Sequence, residues 1–433
     1  MTVVTAVLAV AAAPLVVAVL VIALRRPLHV LLPVYAATVP FGNGLAVPGL
    51  PDSIFSASSI TGLLLTAVLG VQLVAGRRGP REVPLTVPAW LLFLAVTALT
   101  TYWTLSRSVT LESFAVTLVL VALYVAVRMS HVDAAVLARF EAGILAGGLA
   151  ASLYGLYQLV TGSFVVGVGG DVRFGRDLID PNHLAANLLL PLSVALARGS
   201  APGRVLHRTG YLLLAALLLV SIVLTGSRGG VLGVGAVLLA LALTSARPVR
   251  VLASGTAVIG VIVGLVLAFP TAVNDRLYDD GSSGRTGIWK VGLNGCERYC
   301  VAGAGWGTFG LVYEEMLPHT PDASTLRDPR MGAHNIYLGT VVEGGVAALL
   351  LLVTALGLTV REAARIPRAL RAPPVAALAG LLFTSMLLGN LRFKYFWLVL
   401  LYVGVAHAVH ARSPRQGGVP TSPPAVSAAV GPR

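Results

Sequence analysis

Apolar runs separated by short polar connections fill most of this 433-residue chain. Thirteen of them approach the length that crosses a hydrocarbon core of about 30 Å: 3–24, 28–41, 58–75, 85–103, 109–127, 141–161, 182–197, 209–226, 229–245, 251–271, 334–357, 374–390 and 395–410. Backbone groups in lipid must be satisfied within the segment, so such runs predict helices. The second run is short enough to be re-entrant or broken. The expected fold is an all-α integral membrane protein, a polytopic bundle of 12–13 transmembrane helices. Internal repeats and heptads are absent from the pattern, which argues against transporter folds built from inverted repeats.

Composition agrees. With 56% hydrophobic residues, 11% charged residues and a mean hydropathy of +0.86, the chain lies outside the soluble globular range. The formal net charge of +13 invites a nucleic-acid reading. The basic residues are scattered through short loops, however, and form no stripe interleaved with aromatics, so no nucleic-acid partner is expected. Topology explains most of the excess. Placing Arg25/Arg26, Arg77/Arg78/Arg81, Arg128, Arg204/Arg208, Arg247/Arg250, the Arg361–Arg371 cluster and Arg412/Arg415 inside makes every second connection basic. Nineteen of the 31 Lys and Arg are then cytoplasmic. The other twelve fall in external connections and need another explanation.

The first run is preceded by no basic residues, so 3–24 is expected to be a retained span rather than a cleaved signal peptide. Residues 1–412 form the polytopic membrane domain, and the Pro/Gly/Ser-rich stretch 413–433 is expected to be a disordered cytoplasmic tail. Two external connections are long, 162–181 and the extracytoplasmic loop 272–333. Within the second, "RTGIWKVGLNGCERY" has helical spacing and is expected to lie on the membrane surface with Trp289 and Tyr299 at headgroup level. "VAGAGWGTFG" follows as a Gly-rich turn. The only two cysteines, Cys296 and Cys300, both lie in this loop. An oxidising compartment favours a disulfide between them; two free thiols or a weak zinc site are the alternatives.

Candidate chemistry sits among the external cations. In "VLTGSRGGVLG", Arg228 occupies a tight turn flanked by Gly226, Ser227, Gly229 and Gly230, where backbone N–H groups can approach an anion. A topological anchor is the bland reading, but the positive-inside rule would not put it on this side. Arg285 and Lys290 follow a Gly/Ser run, and Arg173 and Arg176 stand in the 162–181 connection. Singly each is a solvated loop charge; together they suit a diphosphate at the outer leaflet, which guanidinium forks grip well. In "DPNHLAANLLLPL", Asp180 and Asn182 are helix caps, and His183 caps or lines a polar cavity, with no chemistry assigned. His334 opens the span of "AHNIYLGTVVEGG". It is either an interfacial cap or a general base whose neighbouring cations discourage protonation. Glu343 is out of phase with it and is expected to hold a neighbouring span.

The ordered set "DPNHLAANLLLPL", "TGSRGG", "GRTGIWKVGL…GAGWGTF" and "AHNIYLGTVVEGG" resembles the O-antigen ligase and Wzy-type polymerase-related superfamily. The similarity is concentrated in 180–350, with the first 160 residues matching only as a hydrophobic scaffold. The resemblance implies an enzyme that moves a glycan from an undecaprenyl diphosphate carrier to an acceptor hydroxyl at the outer face of the cytoplasmic membrane, with no metal, nucleotide or other cofactor. It implies that Arg228 and Arg285 bind the diphosphate and that His334 activates the acceptor. It does not separate ligase from polymerase. Attack opposite the leaving diphosphate predicts inversion at the anomeric carbon. A transporter or flippase of the same lipid-linked glycan is the competing class, but it would place ionisable groups near mid-membrane, where these spans have almost none.

Overall fold

A computed structural model describes residues 21–42, 44–46, 56–76, 82–163, 174–245, 284–321 and 330–411, with scattered positions between 248 and 264. Its helices run α1 (Pro27–Thr38), α2 (Ala57–Val74), α3 (Thr86–Leu99), α4 (Arg107–Arg128), α5 (Ala134–Thr161), α6 (Pro181–Ser200), α7 (Val205–Leu224), α8 (Arg228–Thr244), α9 (Arg285–Tyr299), α10 (Phe309–Met316), α11 (Ile336–Arg365), α12 (Ala372–Ser385) and α13 (Lys394–Ala411). All but α9 and α10 coincide with apolar runs read from the sequence. The runs 3–24 and 251–271 fall largely, and the tail 413–433 wholly, outside the described residues. Among the described residues there is no sheet, only an isolated bridge between Ala46 and Ser56. The helices α2, α4, α5, α7 and α11 are long and apolar enough to cross a membrane. The protein is therefore an all-α membrane protein.

Lipid gives helices little hydrophobic reason to associate, so close approach at small residues matters. A Cβ at Gly143 or Gly147 of α5 would collide with the backbone of Pro33 and Ala37 in α1. At the next position, a Cβ at Gly148 would meet the Pro191 ring of α6 at 2.8 Å. These glycines let α5 lie directly on two neighbours.

The two ends of the bundle differ in charge. The C-terminal ends of α4, α6 and α11 hold ion pairs: the buried Arg128 to Glu362 at 2.5 Å, and the exposed Arg198 to Glu141 at 2.5 Å, with Tyr402 donating to Glu141 at 2.8 Å. The N-terminal ends of α6, α8 and α11 lie a helix length away, about 30 Å for α6. They carry the candidate residues.

The described part of loop 272–333, residues 284–321 and 330–333, folds on itself more than expected. α9 and α10 share a small core with the residues leading into α11, built on Ile288, Val291, Phe309, Val312 and Tyr313. Trp289 donates to the Ala333 carbonyl at 3.1 Å and Tyr299 to Glu315 at 2.7 Å. The polar ends of both aromatics are thus spent inside the protein rather than on headgroups. Cys296 and Cys300 are joined in a disulfide across one turn of α9.

The Gly-rich segment between α9 and α10 is a plug rather than a surface turn. Trp306 is buried against Phe93 at 5.4 Å, edge to face, and its indole donates to Thr117 at 2.9 Å. Opposite the plug, α11 is broken at Gly345, whose φ is 76°. The break frees backbone groups that lipid could not satisfy, and the plug satisfies them. Ala304 N–H donates to the Val342 carbonyl at 2.8 Å, Gly305 N–H to the Glu343 carbonyl at 3.0 Å, and Val346 N–H to the Val301 carbonyl at 3.3 Å.

Candidate active site

Three spans and one loop helix start at the same end of the bundle, and each start is locally determined. Asp180 caps α6 by accepting from the backbone of Asn182 at 2.9 Å and His183 at 3.4 Å, with Pro181 as the first helical residue. Ser227 caps α8 by accepting from Gly230 N–H at 3.1 Å, which makes Arg228 its first residue. Gly284, at φ 71°, turns the chain into α9, which opens with Arg285. Asn335 caps α11 by accepting from Tyr337 and Leu338 N–H at 2.9 and 3.0 Å. Capping is therefore the work of Asn335. His334 stands outside the membrane-spanning helix at φ 46°, the only non-glycine residue with positive φ among the described residues. Such a backbone costs on the order of 1–3 kcal/mol and persists where the surroundings fix it.

These starts converge. The Arg285 guanidinium lies over α8, with Nη1 3.9 Å from where a Cβ on Gly229 would stand. Burial pulls the Arg285 guanidinium below its ordinary value; Asp180 opposes this and Arg228 adds to it. A guanidinium stays charged regardless, so two cations approach one another here, with Asp180 acting on Arg285 as a counter-charge. Asp180 also accepts two backbone N–H groups. Burial also holds the His334 imidazole below its usual pKa, Arg285 adding to the effect and Asp180 opposing it. The imidazole is neutral at neutral pH.

His334 lines a cavity of about 390 Å³. Its walls include His183, Trp306, Thr340, Glu343, Arg392 and Phe393. Arg228 and Arg285 are not part of the wall, but Arg285 lies within electrostatic reach of both imidazoles. Glu343 accepts from the backbone N–H of Phe309 at 3.2 Å. It grips the plug, where the sequence reading had it hold a span.

Lys290 and Arg176 do not line the cavity. Lys290 is exposed five residues past Arg285, on a different side of α9. Arg176 is partly buried in the turn before α6 and does not line the cavity. Arg173 lies outside the described residues. Conversely, His183 reaches the cavity wall although sequence reasoning assigned it no chemistry, and the segment Asn390–Tyr395 packs around it. Phe393 stacks on its ring at 3.7 Å and 16°, Tyr395 hydrogen-bonds its Nδ1 at 2.9 Å, and Arg392 donates to Ser113 of α4 at 2.7 Å. The two cations of this segment, Arg392 and Lys394, on the side the positive-inside rule leaves bare, were the available signal.

Residues 213–353 match the family model Wzy_C, described as O-antigen ligase. This stretch of the chain is similar to an O-antigen ligase domain. The matched stretch begins in α7 and ends in α11, so it contains Arg228, Arg285, the plug and His334. A comparison with curated proteins gives no match. The O-antigen ligase family brings with it membrane glycosyl transfer of ligase or polymerase type and a role in polysaccharide biosynthesis. His183 and the Asn390–Tyr395 segment lie outside the matched residues.

Proposed function

We propose that this protein transfers a glycan from an undecaprenyl-diphosphate-linked donor to an acceptor hydroxyl at the outer face of the cytoplasmic membrane. The observation that carries the proposal is the convergence of Arg228, Arg285 and His334, from three separate stretches of sequence, beside one cavity. The outward orientation rests on the buried and clustered Arg residues at the opposite end of the bundle, which the positive-inside rule puts in the cytoplasm.

In this reaction the acceptor oxygen bonds to the anomeric carbon as the bond from that carbon to the diphosphate oxygen breaks. The acceptor proton passes to His334, and the carrier leaves as undecaprenyl diphosphate. Two pre-placed guanidiniums stabilise the charge that develops on the leaving oxygen. Guanidinium groups grip phosphate oxygens in pairs, which favours the charged end of the donor over neutral lipid. A neutral imidazole acting as general base contributes typically about 10²–10⁴ in rate. Attack on the face of the sugar opposite the leaving diphosphate inverts the anomeric centre.

The test is transfer in proteoliposomes that contain lipid-linked glycan extracted from cells deleted for the protein. Wild type should release undecaprenyl diphosphate in step with glycan transfer, and Arg228→Ala and Arg285→Ala should each abolish both at normal protein abundance. Wild-type turnover in either variant would remove the diphosphate role.

A further inference from the structure

We infer that His183 is a second functional imidazole of this cavity, one that donates a hydrogen bond from Nε2 to an oxygen of the acceptor glycan and holds it for attack. The inference rests on the glycosyl-transfer reading above and deepens it. His183 is 9% exposed, on the first turn of α6, and shares the cavity wall with His334. Nδ1 is taken by Tyr395 Oη at 2.9 Å and one ring face by Phe393 at 3.7 Å. That leaves Nε2 and the other face for the cavity.

The direction of the hydrogen bonds follows from the residues behind it. The Tyr395 hydroxyl is buried, and His183 Nδ1 is the acceptor it has at 2.9 Å. A buried hydroxyl gives its proton to the acceptor in reach, so Tyr395 donates to His183 Nδ1. A neutral imidazole that accepts at Nδ1 carries its proton at Nε2. His183 is thereby fixed as a donor, and His334 remains the cavity's base. Buried polar relays of this kind are kept where each member is satisfied. This one fixes a ring on the cavity wall from behind, through Tyr395, which does not itself line the cavity.

An oxygen donor beside a base is what an acceptor hydroxyl needs: the donor binds a lone pair on a neighbouring oxygen and the base takes the hydroxyl proton. Such orientation acts on the acceptor and leaves the carrier alone.

The experiment uses full-length protein in proteoliposomes with the same glycolipid extract, and reads two quantities: the transfer rate, and the inhibition constant of added undecaprenyl diphosphate. His183→Leu should lower the rate by roughly tenfold or more, the loss of a fixed neutral hydrogen bond plus misorientation, while the inhibition constant stays within about twofold. His183→Gln, whose amide nitrogen reaches the position of Nε2, should regain most of the rate. Tyr395→Phe should lower the rate several-fold in the wild type, where it releases the tautomer, and cost nothing further in the His183→Gln background, which has no tautomer to fix. An unchanged rate in His183→Leu, a Gln variant as inactive as Leu, or a carrier affinity that falls in step with the rate would each overturn the inference. Should wild type itself fail to transfer glycan or release undecaprenyl diphosphate, it is the glycosyl-transfer reading that fails instead.

Discussion

Glu343 in the broken span α11 accepts the backbone N–H of Phe309 at 3.2 Å, and so ties the first residue of the loop helix α10 to the interior of the membrane domain. The plug between α9 and α10 is therefore held by one side chain and by the carbonyls that the break at Gly345 exposes.

The break should be needed for stability. At Gly345 the backbone is left-handed, and a Cβ would stand 2.5 Å from the Val301 carbonyl oxygen. Gly345→Ala should therefore lower the melting temperature in detergent, at a cost on the order of 1–3 kcal/mol. Glu343→Ala, which strands the Phe309 N–H, should cost a similar amount, about 1–3 kcal/mol, while Glu343→Gln keeps an acceptor and should cost less. Thermal unfolding followed by tryptophan fluorescence reads both, since Trp306 is in the plug. Melting temperatures equal to wild type would mean that the plug is not held this way.

Replacing the guanidiniums by ammonium groups separates fork from charge. Arg285→Lys and Arg228→Lys keep the charge but lose the planar pair of donors, so each should restore little transfer, at least tenfold below wild type. Turnover near wild type in Arg228→Lys would make that residue a simple anchor.

The pH profile should report His334. Burial and Arg285 lower its pKa, so the basic form persists below the ordinary histidine value of about 6.5, and the rate should fall only as pH drops beneath that. Asp180 opposes the shift. Asp180→Asn retains a good helix cap but removes the charge, so the ascending limb should move to still lower pH. A limb that stays put in Asp180→Asn, or that lies above 7 in the wild type, contradicts the arrangement.

Sidedness has a direct test. The two native cysteines are bonded to each other, so the wild type offers a silent background for thiol labelling. His319→Cys, exposed just past α10, should react with a membrane-impermeant maleimide in intact cells. Reaction only after lysis would put the site on the cytoplasmic side.

The sequence by itself determined the spans, their starts and the sign of the site. Apolar length forces helices because lipid leaves the backbone no other partner, and local chemistry at Asp180, Ser227 and Asn335 sets where three of them begin. It also showed which cations the positive-inside rule does not explain. Tertiary structure decided which of those cations meet. Arg285 reaches Arg228 and His334 because α9 folds back on the start of α11, whereas Lys290, five residues along the same helix, faces elsewhere. His183 looked like part of a capping motif until Phe393 and Tyr395, more than two hundred residues away, closed on its ring. The plug was read as a surface turn for the same reason: glycine spacing encodes local freedom, but the broken span that accepts its hydrogen bonds lies some forty residues further along the chain. Periodicity and caps act over a few residues and can be read in order. A cavity is made by contacts between stretches that have no such period, and only packing brings them together.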